Sequence, residues 1–196
     1  MSRLRPFRAK DLFQFNNVNL DNWTETYSIS FYLNYISQWP DLCFTQIAAS
    51  GRTMGYVMGK GEGRDDKKTR VKERHGHVTA ITVAPEYRRL GLADGMMKLL
   101  EDISASVYQA YFVDLFVRPS NKTAVGMYEK LGYSVYRRVT EYYHGGGLNG
   151  KDEDGYDMRK AMPRDTKKET VRDNGRDYAI SPEMTAFQPA RRFELE

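Results

Sequence analysis

The sequence predicts an α/β domain over residues 1–162, with a mixed central β-sheet of about seven strands and helices on both faces. Three observations predict it. Short β-type runs and stretches of helical spacing follow one another in the order β-α-α-β-β-β-α-β-α-β-β. Two runs, "HVTAITV" and "AYFVDLFV", are strongly strand-like and bounded by turn residues or helical periodicity. The third is bulk: 196 residues, 40% of them hydrophobic and 14 of them tyrosine, suffice for a sizeable core.

Taken in order, "LRPFRAKDL" reads as a short strand and turn, and "DLFQFNNVNL" as a helix through Leu12, Phe15 and Leu20. "TETYSISFYLNYISQWP" places Tyr27, Phe31, Tyr35 and Trp39 at steps of four, a second helix stopped by Pro40. "LCFTQIAAS" and "TMGYVMGK" form a hairpin around a Ser-Gly-Arg turn. Residues 60–76, nearly all charge and glycine, predict an exposed loop that includes His75. After "HVTAITV" comes a helix whose Leu92, Met96, Leu99, Leu100, Ile103 and Val107 share one face. "AYFVDLFV" is the next strand. "SNKTAVGMYEKLG" is a helix with Ser120 as N-cap and Gly132 as its stop. "YSVYRRVTEYY" and "YDMRKAM" are the closing strands, joined by the turn "HGGGLNGKDEDG" that opens with His144. Residues 163–196 hold few clustered apolar side chains and three prolines, which predicts a tail, flexible or ordered on a partner.

Composition bounds the function. No run of about 18 apolar residues occurs, and the N-terminus lacks the apolar centre of a secretory signal. A single cysteine, Cys43, rules out an internal disulfide framework and fits a reducing compartment, so a cytoplasmic location and no membrane are expected. Three scattered histidines and one cysteine predict no metal site. A net charge of +4 is too mild to require a nucleic-acid partner, and none is expected; an anionic cofactor or a ribosome-adjacent role accounts for it equally.

The stretch "VAPEYRRLGLADGMMKLLEDI" carries the first chemistry. A strand enters a helix through Arg88, Arg89, Gly91, Leu92 and Ala93. The opening N–H groups of a helix lack internal partners and lie at the positive end of its dipole. Gly91 lets a bulky anion approach that backbone, Ala93 keeps the next turn slim, and the arginines add charge-assisted bonds; the turn suits a pyrophosphate. Neither G-x-x-x-x-G-K-[ST] nor a G-x-G-x-x-G after a strand is present.

Arg88-x-x-Gly91-x-Ala93 resembles the R/Q-x-x-G-x-G/A signature of the GCN5-related N-acetyltransferases, the GNAT superfamily. Downstream, Asn121, Ala124, Tyr128, Gly132 and Tyr133 resemble the Asn-x-x-Ala-x-x-x-Tyr-x-x-x-Gly-Tyr/Phe block of the same superfamily. Read alone, Tyr128 is equally a core aromatic beside Val125 and Leu131. At closer range, "FNNVNLDNWTETYSISFYLNYISQWP", "HGHVTAITVAPEYRRLGLA", "LGYSVYRRVTEYY" and "DEDGYDMRKAM" resemble the catalytic subunits of NatB, protein N-terminal acetyltransferases. The resemblance runs from residue 1 to 162. It implies the GNAT fold, acetyl-CoA as co-substrate without metal, and nascent chains beginning Met-Asp, Met-Glu, Met-Asn or Met-Gln as acceptors. It also implies a large helical-repeat (TPR-like) auxiliary subunit, in a heterodimer that reaches the ribosome and the nascent peptide.

Acetyl transfer to an amine needs a neutral nitrogen, stabilisation of an oxyanion and a proton for the departing thiolate. A bulge near Ile81, Thr82 and Val83 would free backbone N–H groups, which in the family bond the pantetheine arm. Tyr128 is the candidate proton donor, a phenol of pKa about 10 against a thiol of about 8.5. Asn121 is a candidate cofactor contact. No carboxylate occurs in "HVTAITV" to act as base. An α-amine of pKa about 7.7–8 is roughly one-fifth neutral near pH 7.2, whereas lysine is neutral on the order of once in a thousand molecules. The gap therefore argues for an α-amine. From the residues alone His77 has three readings: a base through water, a donor to the peptide, or a solvent-side strand residue. The resemblance favours the second, with His77 reading the second residue of the substrate. It likewise implies peptide contacts for Glu25, Tyr27, Tyr142 and Tyr143, with Thr79 on the floor. Tyr27 also reads as core, beside Phe31. A lysine or small-amine acetyltransferase, and a catalytically silent module that binds CoA or a partner, are the alternatives.

Overall fold

Contacts along the chain group its strands into two sets of four. The structure, a computed structural model, describes residues 2–20, 23–64, 72–144 and 152–185. Its contacts divide the chain into two units, Met1–Ala110 and Tyr111–Glu196. Among the described residues there are eight strands, against about seven expected, and no helix long and apolar enough to cross a membrane.

The first unit is an antiparallel sheet of β1 (Arg3–Pro6), β2 (Cys43–Ile47), β3 (Thr53–Glu62) and β4 (His75–Val83), in that spatial order. The helix expected across residues 11–20 is broken. A 3-10 turn spans Ala9–Phe13, and α1 is a single turn, Asn16–Asn19. The cause is Asp11, which takes both guanidinium nitrogens of Arg5 at 2.7 and 2.8 Å and the Arg8 amide at 2.8 Å. Burial raises the Asp11 pKa, but these bonds outweigh it and hold the carboxyl below its usual range.

Helix α2 (Ile29–Gln38) begins where Ser28 Oγ accepts from the Phe31 amide at 3.3 Å, and it stops before Pro40. Its Tyr32 and Tyr35 are buried with Phe7, Phe15, Val18, Tyr56 and Met58, the aromatic core on one face of the sheet. Helix α3 (Leu92–Ser106) buries Met96, Met97, Leu100, Glu101 and Ser104, whereas Val107, expected in its apolar face, is 61% exposed. The buried stripe is rotated toward the side carrying Met97 and Glu101, and charge concealed that in the sequence. A Cβ on Gly59 would lie 2.7 Å from Leu100 Cδ1, so only glycine lets α3 approach β3 this closely. Burying Met96, Met97 and Leu100 contributes about 1.5–3 kcal/mol each.

The loop expected over residues 60–76 is shorter at both ends, because Lys60–Glu62 extend β3 and His75–Gly76 begin β4. His75 is a strand residue with 4% exposure, not a loop residue; its Nε2 lies 3.9 Å from Glu62. Cross-strand pairing with Glu62 draws it in. Residues 65–71 lie outside the described residues.

The second unit orders its strands β5 (Phe112–Val117), β7 (Glu153–Ala161), β6 (Ser134–Tyr143) and β8 (Ala179–Ile180). The first three pair antiparallel, and β8 runs parallel to β6. Helix α4 (Lys122–Lys130) is capped by Asn121, whose Oδ1 accepts from the Ala124 amide at 3.1 Å, rather than by Ser120. Gly132, at φ +92°, ends it as expected. Asp157 is fully buried and held by Arg137 at 2.8 Å and Arg159 at 3.1 Å. Residues 163–185, expected as a tail, pack on this unit. Asp165 accepts from the Thr170 amide and hydroxyl at 2.8 and 2.7 Å, β8 extends the sheet, and Arg172 lies over Tyr136 at 4.1 Å. Isolated anchors do this work, and their spacing carries no periodic signal. Residues 145–151 of the predicted closing turn, and 186–196 of the predicted tail, fall outside the described residues.

Candidate active site

The first unit carries the turn that the sequence suggests for a pyrophosphate. Beyond β4, the chain makes one 3-10 turn over Pro85–Tyr87 and then enters α3 through Gly91, its N-cap, at φ +75° and ψ 8°. Arg89 is also left-handed, at φ 62°. Two left-handed residues so close together reverse the chain sharply, and only at Gly91 is that conformation free of strain. A Cβ added to Gly91 would meet nothing within 4 Å. The space above the helix entrance is therefore open, and the amides of Leu92 and Ala93 begin the turn whose N–H groups have no intrahelical partner. Arg88 and Arg89 are exposed, and the Arg88 Nε donates to Val83 O at 3.2 Å. That bond ties the arginine stem to the end of β4.

Strand β4 does bulge, although two residues earlier than expected. Register against β3 pairs Met58 with Ala80 and Gly59 with Val78, leaving Thr79 as the extra residue. The interruption therefore sits at Thr79 and not at Ile81–Val83, which pair regularly with Val57, Tyr56 and Gly55. Thr79 donates its hydroxyl proton to Tyr35 Oη at 3.0 Å. Thr82 is buried, and its Oγ1 lies 3.0 Å from Thr24 Oγ1. Ile81 and Val83 are half-buried. His77 lies opposite Lys60 and is 9% exposed, so it is not a solvent-side residue.

The segment before α2 lies over the same strand. Tyr27 precedes the Ser28 cap, so it is not a helical residue, but it stacks on Phe31 with centroids 4.2 Å apart and planes at 14°. Burial, with the Glu25 charge beside it, pushes the Tyr27 phenol up. Glu25 is half-buried. A cleft of about 410 Å³, lined by Leu12, Phe15, Leu20, Tyr27, Ile29 and Tyr32, opens beside this segment.

The second unit carries Asn121, Tyr128, Tyr142 and Tyr143. Tyr128 is 7% exposed and packs edge-on against Tyr133 at 5.9 Å. Desolvation pushes its phenol above the ordinary value, so at neutral pH the hydroxyl keeps its proton. Asn121 spends its carbonyl oxygen on the α4 cap. Tyr142 stacks on Phe116 at 4.4 Å and 8°, and meets Tyr143 edge-on at 4.9 Å. Tyr143 lies under Arg118, which is 7% exposed, pairs with Glu153 at 3.4 Å and sits 4.1 Å from the ring centroid. Glu153 also accepts from the Ser120 amide at 2.8 Å.

The sequence reading missed the hydroxyls of Tyr35 and Thr24 and the Arg118–Glu153 pair. Tyr35 reads as core from its spacing, and nothing in the sequence aligns Arg118 with Glu153 across two strands. Among the described residues, no group of three or more His, Cys, Asp or Glu is placed to hold a metal ion.

Comparison with known proteins places this arrangement in a family. Residues 11–133 match the acetyltransferase (GNAT) family. The chain is 52% identical to the N-terminal acetyltransferase B complex catalytic subunit naa20 of Schizosaccharomyces pombe, across 95% of this chain and all (100%) of that protein. It is also 52% identical to the NAA20 catalytic subunit of Arabidopsis thaliana, across 87% of this chain and 91% of that one. Among solved structures it resembles Chaetomium thermophilum Naa20 in complex with a bisubstrate analogue, at 41% identity and a TM-score of 0.86, covering 92% and 97% of the two chains. A NatB acetyltransferase complex bound to a bisubstrate inhibitor matches at 38% identity and a TM-score of 0.79, covering 94% of this chain and 99% of that one. The chain thus belongs to the GNAT acetyltransferases and, within them, to the NatB-type catalytic subunits of N-terminal acetyltransferases.

Proposed function

We propose that this protein transfers the acetyl group of acetyl-CoA to the N-terminal α-amine of proteins beginning Met-Asp, Met-Glu, Met-Asn or Met-Gln. The observation that carries the reading is the entrance to α3, where a left-handed glycine with open space above it follows the bulged strand β4. Such an entrance offers amides and arginines to a diphosphate. In this reading Arg88, Arg89, Gly91, Leu92 and Ala93 hold the pyrophosphate, the backbone of Ile81–Val83 and Asn121 bind the rest of the cofactor, and Thr79 lines the floor. The bulge at Thr79 supplies the interruption in β4 that leads the pantetheine arm.

Attack by the neutral α-amine on the thioester carbonyl forms the C–N bond. Collapse of the tetrahedral intermediate breaks the C–S bond, and Tyr128, kept protonated by burial, gives its proton to the leaving thiolate. The nitrogen of the tetrahedral intermediate releases its extra proton to solvent, and because an α-amine of pKa about 7.7–8 already holds a neutral fraction near pH 7, no dedicated carboxylate is needed to generate the nucleophile. Glu25, Tyr27, Tyr142 and Tyr143 bind the peptide. The ring of Tyr27, already stacked on Phe31, gives a methionine side chain an apolar wall at little ordering cost. His77 donates to the acidic or amide side chain at position two. By kinship with the NatB complex, the working form pairs this chain with a large helical-repeat auxiliary subunit in the cytoplasm, at the ribosome.

A peptide panel tests the reading. With acetyl-CoA, Met-Asp, Met-Glu, Met-Asn and Met-Gln peptides are acetylated, with and without the auxiliary subunit co-purified. N-terminally blocked peptides with internal lysines stay unlabelled. Labelling of the blocked peptides makes the protein a lysine acetyltransferase, and labelling of none makes it a silent module.

A further inference from the structure

Tyr35 has a role that core packing does not explain. Its ring is buried in the α2 aromatic row, tilted against Phe31 at 4.5 Å and Trp39 at 5.3 Å. A phenylalanine would fill that position equally well. The hydroxyl instead reaches across to β4 and accepts from Thr79, the residue that interrupts the β3–β4 register. A bulge leaves its extra residue without a ladder partner, so its orientation is set by whatever holds the side chain. A second hydroxyl tie, Thr24 Oγ1 to Thr82 Oγ1 at 3.0 Å, fastens the segment before α2 to the same strand beyond the bulge. Thr82 in turn donates to Val18 O at 3.4 Å, on α1. Between the two ties lie Glu25 and Tyr27, and Tyr27 connects to Tyr35 through the ring of Phe31, which lies 4.2 Å from the one and 4.5 Å from the other.

We infer that Tyr35 is a positioning residue: its hydroxyl fixes the Thr79 bulge and so sets the orientation of the β4 peptide groups beyond it, in register with the Glu25–Tyr27 segment. The inference rests on the acetyl-transfer reading for its catalytic consequence, but the structural tie stands independently of it. Burial raises the Tyr35 phenol to about 12, so the hydroxyl stays neutral and the tie persists across the working pH range. Loss of one such bond corresponds to roughly a five- to tenfold change in the population of the bulge geometry.

The test uses the protein with its auxiliary subunit, in three variants, Tyr35→Phe, Thr79→Val and the double substitution, read by two methods. Hydrogen exchange of the amides from Ala80 to Val83 accelerates about five- to tenfold in each single variant and no further in the double. In turnover of a Met-Asp peptide, kcat falls in each single variant by no more than the same five- to tenfold, while the acetyl-CoA KM stays within about twofold. The double variant again matches the singles. Unchanged exchange at residues 80–83 in Tyr35→Phe overturns the inference. So do additive losses in the double variant, or a loss of kcat in which exchange accelerates uniformly over the whole unit. If the unsubstituted protein acetylates no peptide, the acetyl-transfer reading fails, and the exchange measurement still decides the tie.

Discussion

Replacement of Gly91 separates two reasons for a glycine at the mouth of α3. The residue sits at φ +75°, where an L side chain is strained, yet an added Cβ would meet nothing within 4 Å. Gly91→Ala therefore pays only the backbone term, about 1 kcal/mol. For a chain of this size that is a fall of about 2–4 °C in Tm. Gly91→Asn pays less, because asparagine tolerates the left-handed region. Both side chains project into the space where the diphosphate is proposed to lie. Displacing it from one charge-assisted amide bond costs about 1.5–3 kcal/mol, or about tenfold or more in acetyl-CoA KM. The assay is thermal melting beside steady-state kinetics with varied acetyl-CoA. Asparagine should melt closer to the unsubstituted protein than alanine does and yet raise KM at least as much. If KM follows Tm across the two variants, or does not move, the glycine serves backbone geometry alone and the anion argument is refuted.

Three further outcomes follow from the same geometry. Tyr128→Phe keeps the edge-on contact with Tyr133 and removes the proposed proton donor, so kcat drops about 100-fold or more with acetyl-CoA KM within about twofold; equal kcat values would remove Tyr128 from the chemistry. The pH profile of kcat/KM rises through the α-amine pKa of about 7.7–8 and stays level to at least about pH 10, because burial holds the Tyr128 phenol above its ordinary value; a descending limb between pH 8 and 9 contradicts this. Asp11→Asn costs about 2 kcal/mol in urea unfolding at pH 7, less than a fully buried pair because Arg5 retains 14% exposure. The folded pKa of Asp11 lies below the unfolded one, so its contribution is complete above the ordinary aspartate range and disappears as pH falls through the folded value. The Asn variant should therefore approach the unsubstituted protein in stability as the medium is acidified.

Much of the fold was legible because local signals and tertiary demands agree. The stripe at Tyr27, Phe31, Tyr35 and Trp39 marks α2 and its aromatic core, and Gly132 ends α4 at φ +92°. Gly91 was legible for the same reason, since a glycine between a strand and a helix has few uses. Failures arose where a long-range polar contact overrode spacing. Asp11 turns toward Arg5 and breaks a helix that apolar periodicity favours. Glu101 is buried, so the face of α3 lies one step away from its most apolar line. Asp165, Thr170 and Ile180 anchor the chain after residue 162 one at a time, and single anchors leave no pattern to read. In the candidate site, residue types were legible and partners were not. The bulge moved from Ile81–Val83 to Thr79, and the hydroxyl of Tyr35 that meets it comes from 44 residues away.

A crystal structure of the protein with coenzyme A tests the central claim most directly. The diphosphate should accept from the backbone amides at the start of α3, next to Gly91, with the pantetheine running along β4 past the Thr79 bulge. A nucleotide bound elsewhere, with the α3 entrance filled only by solvent, would contradict the account.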